Sequence, residues 1–181
     1  IKEEDSNVIK TILYGLSAFT NNPINNRLIA HSGEGKTYLV NKVSATFPEQ
    51  SLIILSSASA QSFKYSHGYE VIEEENGDLT PTAEKIVPLE ETLANAKGKE
   101  KKDIEKQIAQ LHKESWYLID FRNKWLIFLD SQNMSLWESL KTLLSHDSEK
   151  QRHQVTNKIN GRNTQEKMIF LGSPAVTYCS A

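Results

Sequence analysis

Ala30-His31-Ser32-Gly33-Glu34-Gly35-Lys36-Thr37 reads as a phosphate-binding loop: Ala or Gly, four free positions, then Gly-Lys-Thr. The residues before it, Asn26-Arg27-Leu28-Ile29-Ala30, predict a short buried strand. The residues after it, Thr37 to Thr46, predict a helix. The glycines let the backbone curl so that several N–H groups face one phosphate. A helix N-terminus adds partial positive charge at the same place. His31, Ser32, Gly33, Glu34, Gly35, Lys36 and Thr37 are therefore the expected cradle for a nucleoside triphosphate. Lys36 is expected to reach the β- and γ-phosphates, and the Thr37 hydroxyl to hold Mg²⁺.

Working outward, the chain has 181 residues, 24% of them charged and 38% hydrophobic, the proportions of a globular protein with one core. No run reaches the ~18 apolar residues of a membrane span, so no membrane partner is expected. The single cysteine, Cys179, rules out an internal disulfide framework and predicts a cytoplasmic setting. It lies in the apolar run Ala175-Val176-Thr177-Tyr178-Cys179 and is expected to pack rather than react. A net charge of −2 gives no global attraction to nucleic acid, so such binding needs a local patch. The first residue is Ile, which predicts a piece of a longer chain.

Asp5 to Phe19 predicts an amphipathic helix with Val8, Ile9, Ile12, Leu13, Leu16 and Phe19 on its apolar face and Asp5 or Ser6 as cap. Ser51 to Ser57, containing Leu52-Ile53-Ile54-Leu55, predicts a buried parallel strand, and hence a right-handed β-α-β unit around the loop. Ser56 to Ser66 is read as a short helix or a loop. Gly68 to Ile72 predicts a small strand, followed by a turn at Asn76-Gly77. Residues 84–114 predict a helical insertion: Pro88 opens a first helix with Leu89, Leu93 and Ala96 on one face, and Ile104, Ile108 and Leu111 continue after Gly98. Its mixed charges predict a solvated face. Trp116 to Ile119 predicts a strand, and Ser135 to Leu144 a helix. Two strands, His153 to Asn157 and Glu166 to Leu171, flank the turn signal Asn160-Gly161, with Lys158, Arg162 and Lys167 at or near the tip. Pro174 to Ser180 is the last expected strand.

Trp125-Leu126-Ile127-Phe128-Leu129-Asp130 looks like the second element of a nucleotide site, the Walker B strand. A buried strand of this kind delivers a carboxylate to its C-terminal end, where Asp130 can enter the Mg²⁺ shell. It lies about 90 residues beyond the loop. Guanine-nucleotide switches carry an N-K-x-D motif, but here Asn157-Lys158-Ile159-Asn160 lacks the final carboxylate, and Asp130-Ser131-Gln132-Asn133 lacks the glycine of D-x-x-G. Small-molecule kinases carry an Arg-rich lid, whereas Arg27, Arg122, Arg152 and Arg162 are scattered. Ser145-His146-Asp147 cannot form a triad among neighbours, and His31 is read as a loop residue rather than a metal ligand.

The order of elements resembles P-loop ATPases of the ASCE and AAA+ class, in particular the superfamily-3-like ATPase modules of viral and plasmid primase–helicase proteins. The resemblance rests on Ser32 to Leu39, the Phe47-Pro48 ending of the next helix and Lys124 to Asp130. It implies one α/β core over residues 1–181: a three-layer sandwich with a mainly parallel sheet, the helical insertion at 84–114 and a β-hairpin before the last strand. It further implies an ATP- and Mg²⁺-dependent motor core of a DNA helicase or primase-associated protein acting in replication, working as a homo-oligomeric ring. By the same resemblance Lys36 and Asp130 are catalytic, and the hairpin touches single-stranded DNA through Lys158, Arg162 and Lys167. Ser180 stands where a polar sensor residue is expected. The chain departs from that pattern at Ser131, where an acid commonly activates the attacking water. Glu138 is the nearest substitute, and Glu34 can point out of the loop. That departure keeps a second expectation open: a nucleotide-dependent switch or loader with little or no turnover.

Overall fold

The computed structural model describes residues 2–31, 33–56, 67–130, 138, 140–141, 149–159 and 162–180, with the side chains of 2–4, 155–159 and 162–166 left out. The expectations for residues 57–66, for Ser32 and Ser131, for the Asn160-Gly161 turn and for most of the 135–144 helix lie outside the described residues. Of that last segment Glu138 and Lys141 are helical and exposed, while Leu140 is helical and fully buried.

The chain is α/β and divides into two compact units: residues 1–63, 120–151 and 170–181 form one, and residues 64–119 and 152–169 the other. The first holds α1 (Lys2–Ser17), β1 (Asn26–Ile29), α2 (Lys36–Ser44), β2 (Leu52–Leu55), β6 (Trp125–Phe128) and β9 (Ala175–Ser180). Its four strands form one parallel sheet in the order β1-β9-β6-β2. The parallel arrangement of β1 and β2 follows the expectation, but the two strands take opposite edges, with β9 and β6 between them. Burial explains this order. All four side chains of β6 and five of the six of β9 are buried, as continuous apolar strands require. Strands β1 and β2, expected to be buried, alternate instead, with Ile29 (68%) and Ile54 (41%) exposed, and so can tolerate an edge.

One face of this sheet carries the core cluster. Val40 and Val43 of α2 and Ala18 just after α1 pack with Trp125, Ile127, Ala175 and Cys179, joined by Val8, Ile12, Leu28 and Leu39. The fully buried Trp125 donates its indole N–H to Thr177 Oγ1 at 2.9 Å, so that this buried donor is paired. The Phe47 ring meets Trp125 edge-on at 4.9 Å. Helix α1 departs from the expected face. It turns Val8, Thr11, Ile12, Gly15 and Ala18 inward, while Ile9 (58% exposed), Leu13 (58%), Leu16 (48%) and Phe19 (46%) face solvent. Gly15 is the reason. A Cβ there would lie 2.7 Å from both Phe47 and Trp125, so only glycine lets the helix backbone settle on those rings. The helix also begins at Lys2, which places Asp5 and Ser6 inside it and not at its cap.

The second unit holds most of a five-stranded mixed sheet in the order β4-β3-β5-β8-β7. Its strands are β3 (Tyr69–Glu73), β4 (Leu79–Pro81), β5 (Trp116–Asp120), β7 (Lys150–Ile159) and β8 (Arg162–Leu171). Strands β3 and β4 are antiparallel around the expected turn, where Gly77 takes φ +87 and Asn76 Oδ1 accepts from the Asp78 amide at 3.0 Å. Strands β7 and β8 are neighbours separated by residues 160–161 alone, a connection short enough only for an antiparallel pair. Between β4 and β5 come α3 (Thr82–Leu93) and α4 (Gly98–Glu114). Pro88 lies inside α3 rather than at its start. The helix begins one residue after Pro81, and Thr82, Ile86, Leu89 and Leu93 form its inward stripe. In α4 the inward stripe is Ile104, Ile108 and Leu111, as the sequence predicts.

Candidate functional site

The site is built at the C-terminal ends of three parallel strands. Chain leaving β1 at Ile29 enters the loop and then α2. Gly33 (φ +87) and Gly35 (φ +78) both adopt the left-handed backbone that the loop needs. Gly35 caps α2, and the first helical bond runs from the Leu39 amide to the Gly35 carbonyl at 2.9 Å. The amides of Lys36, Thr37 and Tyr38 therefore have no acceptor within the helix and point out of its end.

The loop braces itself. The Lys36 ammonium donates to the carbonyl of Ala30 and, at 2.8 Å, to that of His31. The Glu34 carboxylate accepts from the His31 amide at 2.9 Å, and the Glu34 amide donates to the His31 carbonyl at 3.3 Å. Glu34 thus holds the two ends of the turn together.

A cleft of about 430 Å³ opens over this loop. Gly33, Glu34, Gly35, Lys36, Thr37 and Tyr38 line one side; Leu129 and Asp130, just past β6, and Cys179 and Ser180, at the end of β9, line the other. Three segments far apart in sequence meet because β1, β9 and β6 are parallel neighbours and their ends lie side by side. The volume is in the range of small-ligand sites.

Ser180 is held from outside the cleft. The Arg27 Nε–H on β1 donates to Ser180 Oγ at 2.9 Å, and the guanidinium lies over the Tyr178 ring at 5.6 Å. A hydroxyl that accepts from a guanidinium keeps its own hydrogen to donate. Cys179 is only 2% exposed. Burial pushes its thiol above the ordinary value and outweighs the opposing charge of Lys36. A protonated, buried thiol is a poor nucleophile.

The remaining candidates sit elsewhere. The His31 side chain is exposed within the loop, and the helical Glu138 is exposed; neither lines the cleft. Lys167 is the sixth residue of β8, well away from the turn, with its ammonium 5.6 Å over the Trp116 ring and donating to the Lys113 carbonyl at 3.2 Å. It is a packed, half-buried lysine within the strand. Lys158 and Arg162 belong to the ends of β7 and β8 that adjoin residues 160–161. Among the described residues no three His, Cys, Asp or Glu side chains are grouped to hold a metal, and no helix is long and apolar enough to cross a membrane. Tyr38 and Leu129 lie in stretches that sequence reasoning used, but their place in the cleft lining, like the Arg27 brace, depends on what lies across the sheet.

No family model matches the chain, and comparisons with curated proteins and with solved structures found no match either.

Proposed function

We propose that the chain binds a nucleoside triphosphate, ATP in the first place, with the loop at 30–37, and that it is an ATPase core of the P-loop, AAA+-like class. One observation carries the reading: the glycine loop, Asp130 and Ser180 line a single cleft at the ends of parallel strands. The outward amides of α2 and the Lys36 ammonium suit a polyanion, and a phosphate oxygen is a stronger acceptor than the neutral carbonyls Lys36 now contacts. Thr37 and Asp130 offer hard oxygen donors, and two protein oxygens with phosphates and water are a normal Mg²⁺ set. When bound, the ion would neutralise phosphate charge.

Lys36→Ala is expected to weaken binding of a fluorescent ATP analogue about tenfold to a hundredfold, with the thermal midpoint unchanged, because Lys36 is part-exposed and bonds only to loop carbonyls. Unaltered affinity would place the nucleotide elsewhere.

As a motor, the protein would couple hydrolysis to movement on single-stranded DNA within a ring, with Lys158 and Arg162 near the β7–β8 turn meeting the DNA backbone. A specific observation favours the second reading, a nucleotide-dependent switch or loader. Among the described residues the only carboxylates lining the cleft are Glu34 and Asp130. Glu34 is bonded within the loop, and Asp130 is the assigned metal ligand. Turnover measured with and without single-stranded DNA separates the two. DNA-stimulated hydrolysis supports the motor, and tight ATP binding without turnover supports the switch.

A further inference from the structure

Tyr38 is the third residue of α2, lines the cleft, and is 68% exposed. A large aromatic ring left in water beside a polar loop calls for an explanation, and its surroundings offer one. Phosphates gathered by the amides of Lys36 and Thr37 would put whatever they carry next to the side chain that follows. One helical turn on, the Lys42 ammonium lies 5.6 Å from the Tyr38 ring centroid and covers one face. Among the described residues no other ring or cation lies against Tyr38, and with 68% of the residue exposed its opposite face can take a planar partner. The other polar side chains lining the cleft are Glu34, Lys36, Thr37, Asp130 and Ser180. They are engaged in the loop or suited to phosphate and metal, so among the described residues none is left to read the edge of a base.

We propose that Tyr38 is the stacking platform for the base of the bound nucleotide, and that the site therefore takes adenine and guanine nucleotides nearly alike. This rests on the phosphate-loop reading above and adds the ligand's other half. Stacking uses the π-face that every base has and ignores its hydrogen-bonding edge, so affinity gained this way is tolerant of base identity.

The test is a competition titration on the 181-residue chain in Mg²⁺ with ATP, GTP and inorganic tripolyphosphate, repeated for Tyr38→Ala and Tyr38→Trp. Wild type is expected to bind ATP and GTP within about fivefold of each other. Tyr38→Ala should lose about tenfold for both nucleotides and nothing for tripolyphosphate, and Tyr38→Trp should retain or improve nucleotide affinity. Stacking is overturned if Tyr38→Ala leaves ATP affinity intact, or weakens tripolyphosphate equally, which would make Tyr38 a support of the loop. Base tolerance is overturned if wild type separates ATP from GTP by more than about thirtyfold. Wild type that binds tripolyphosphate but shows no Tyr38 effect defeats stacking alone. Wild type that binds none of the three ligands defeats the phosphate-loop reading and stacking with it.

Discussion

The parallel sheet and the mixed sheet meet the problem of burial in different ways. In the parallel sheet, Trp125, Leu126, Ile127 and Phe128 of β6 are all fully buried. In the mixed sheet, β3 buries only Val71 and Ile72. Glutamates in and just after β3 reach instead to basic partners: Glu70 to His112 of α4 at 2.7 Å, Glu73 to Arg152 of β7, and Glu74 to Lys85 of α3 at 2.6 Å. The hydrogen bond from Lys85 is the main reason the Glu74 carboxyl is held below its ordinary range. One region rests on area removed from water, the other adds part-exposed charge pairs to a smaller apolar core. The two should respond differently to truncation, salt and pH.

The largest effect belongs to the parallel sheet. Trp125→Ala should cost about 3–5 kcal/mol, because it empties a packed site and strands the Thr177 hydroxyl. Urea unfolding followed by circular dichroism measures it, and a loss below about 1 kcal/mol would show that the core does not centre on this residue.

An intermediate effect tests a charge pair of the parallel-sheet unit. Burial alone would raise the Asp120 carboxyl, but Arg122 donates from its backbone at 2.9 Å and from its guanidinium at 2.6 Å, and the net result is a lowered pKa. A carboxyl whose folded pKa is depressed contributes stability above its unfolded value near 3.9 and loses it as pH falls through the folded value. Arg122→Met should therefore cost up to about 1 kcal/mol at pH 5–7, and the gap from wild type should close below about pH 4. A gap that persists unchanged at pH 2 would assign the loss to packing against Gly172, whose own Cβ would meet Arg122 Cγ at 2.5 Å.

The smallest effect is reserved for the mixed sheet. Arg152→Met should cost about 0.2–1 kcal/mol in dilute buffer and less in 1 M salt, since the Glu73–Arg152 pair is part-exposed. A salt-independent loss would mean that Arg152 works by packing, and the contrast between the two sheets would narrow.

Legibility followed the same divide. Trp125 to Phe128 could be read as a buried strand because a strand covered on both faces must be apolar without interruption, whereas Leu52 to Leu55, equally apolar, forms an edge strand with Ile54 exposed. Tyr69 to Glu73 and Trp116 to Asp120 could be read one at a time, but nothing local says that they pair with each other or join β8 and β7 in a second sheet. Proline misled at position 88 because the helix starts six residues earlier, at Thr82 right after Pro81, and runs through Pro88 despite the backbone hydrogen bond that a proline cannot donate. The face of α1 misled for a different reason. Counting apolar residues favoured Ile9, Leu13 and Leu16, whereas Gly15 gains from contact with two rings that come from elsewhere in the chain.

The sequence by itself determined the loop: its glycines, its lysine, its threonine and the helix that follows are local, because the loop is made of consecutive residues. It also determined that a buried strand would lie just ahead of Asp130, although that strand stops at Phe128 rather than running to the carboxylate. Only the tertiary structure decided that β9 lies between β1 and β6, that Ser180 therefore lines the cleft with the loop while Arg27 braces it from outside, and that Tyr38 lines the same cleft and is largely exposed. Those facts depend on which strand ends come to lie side by side. Pairing of that kind is set by the burial of whole strands against one another, and no short stretch of residues contains it.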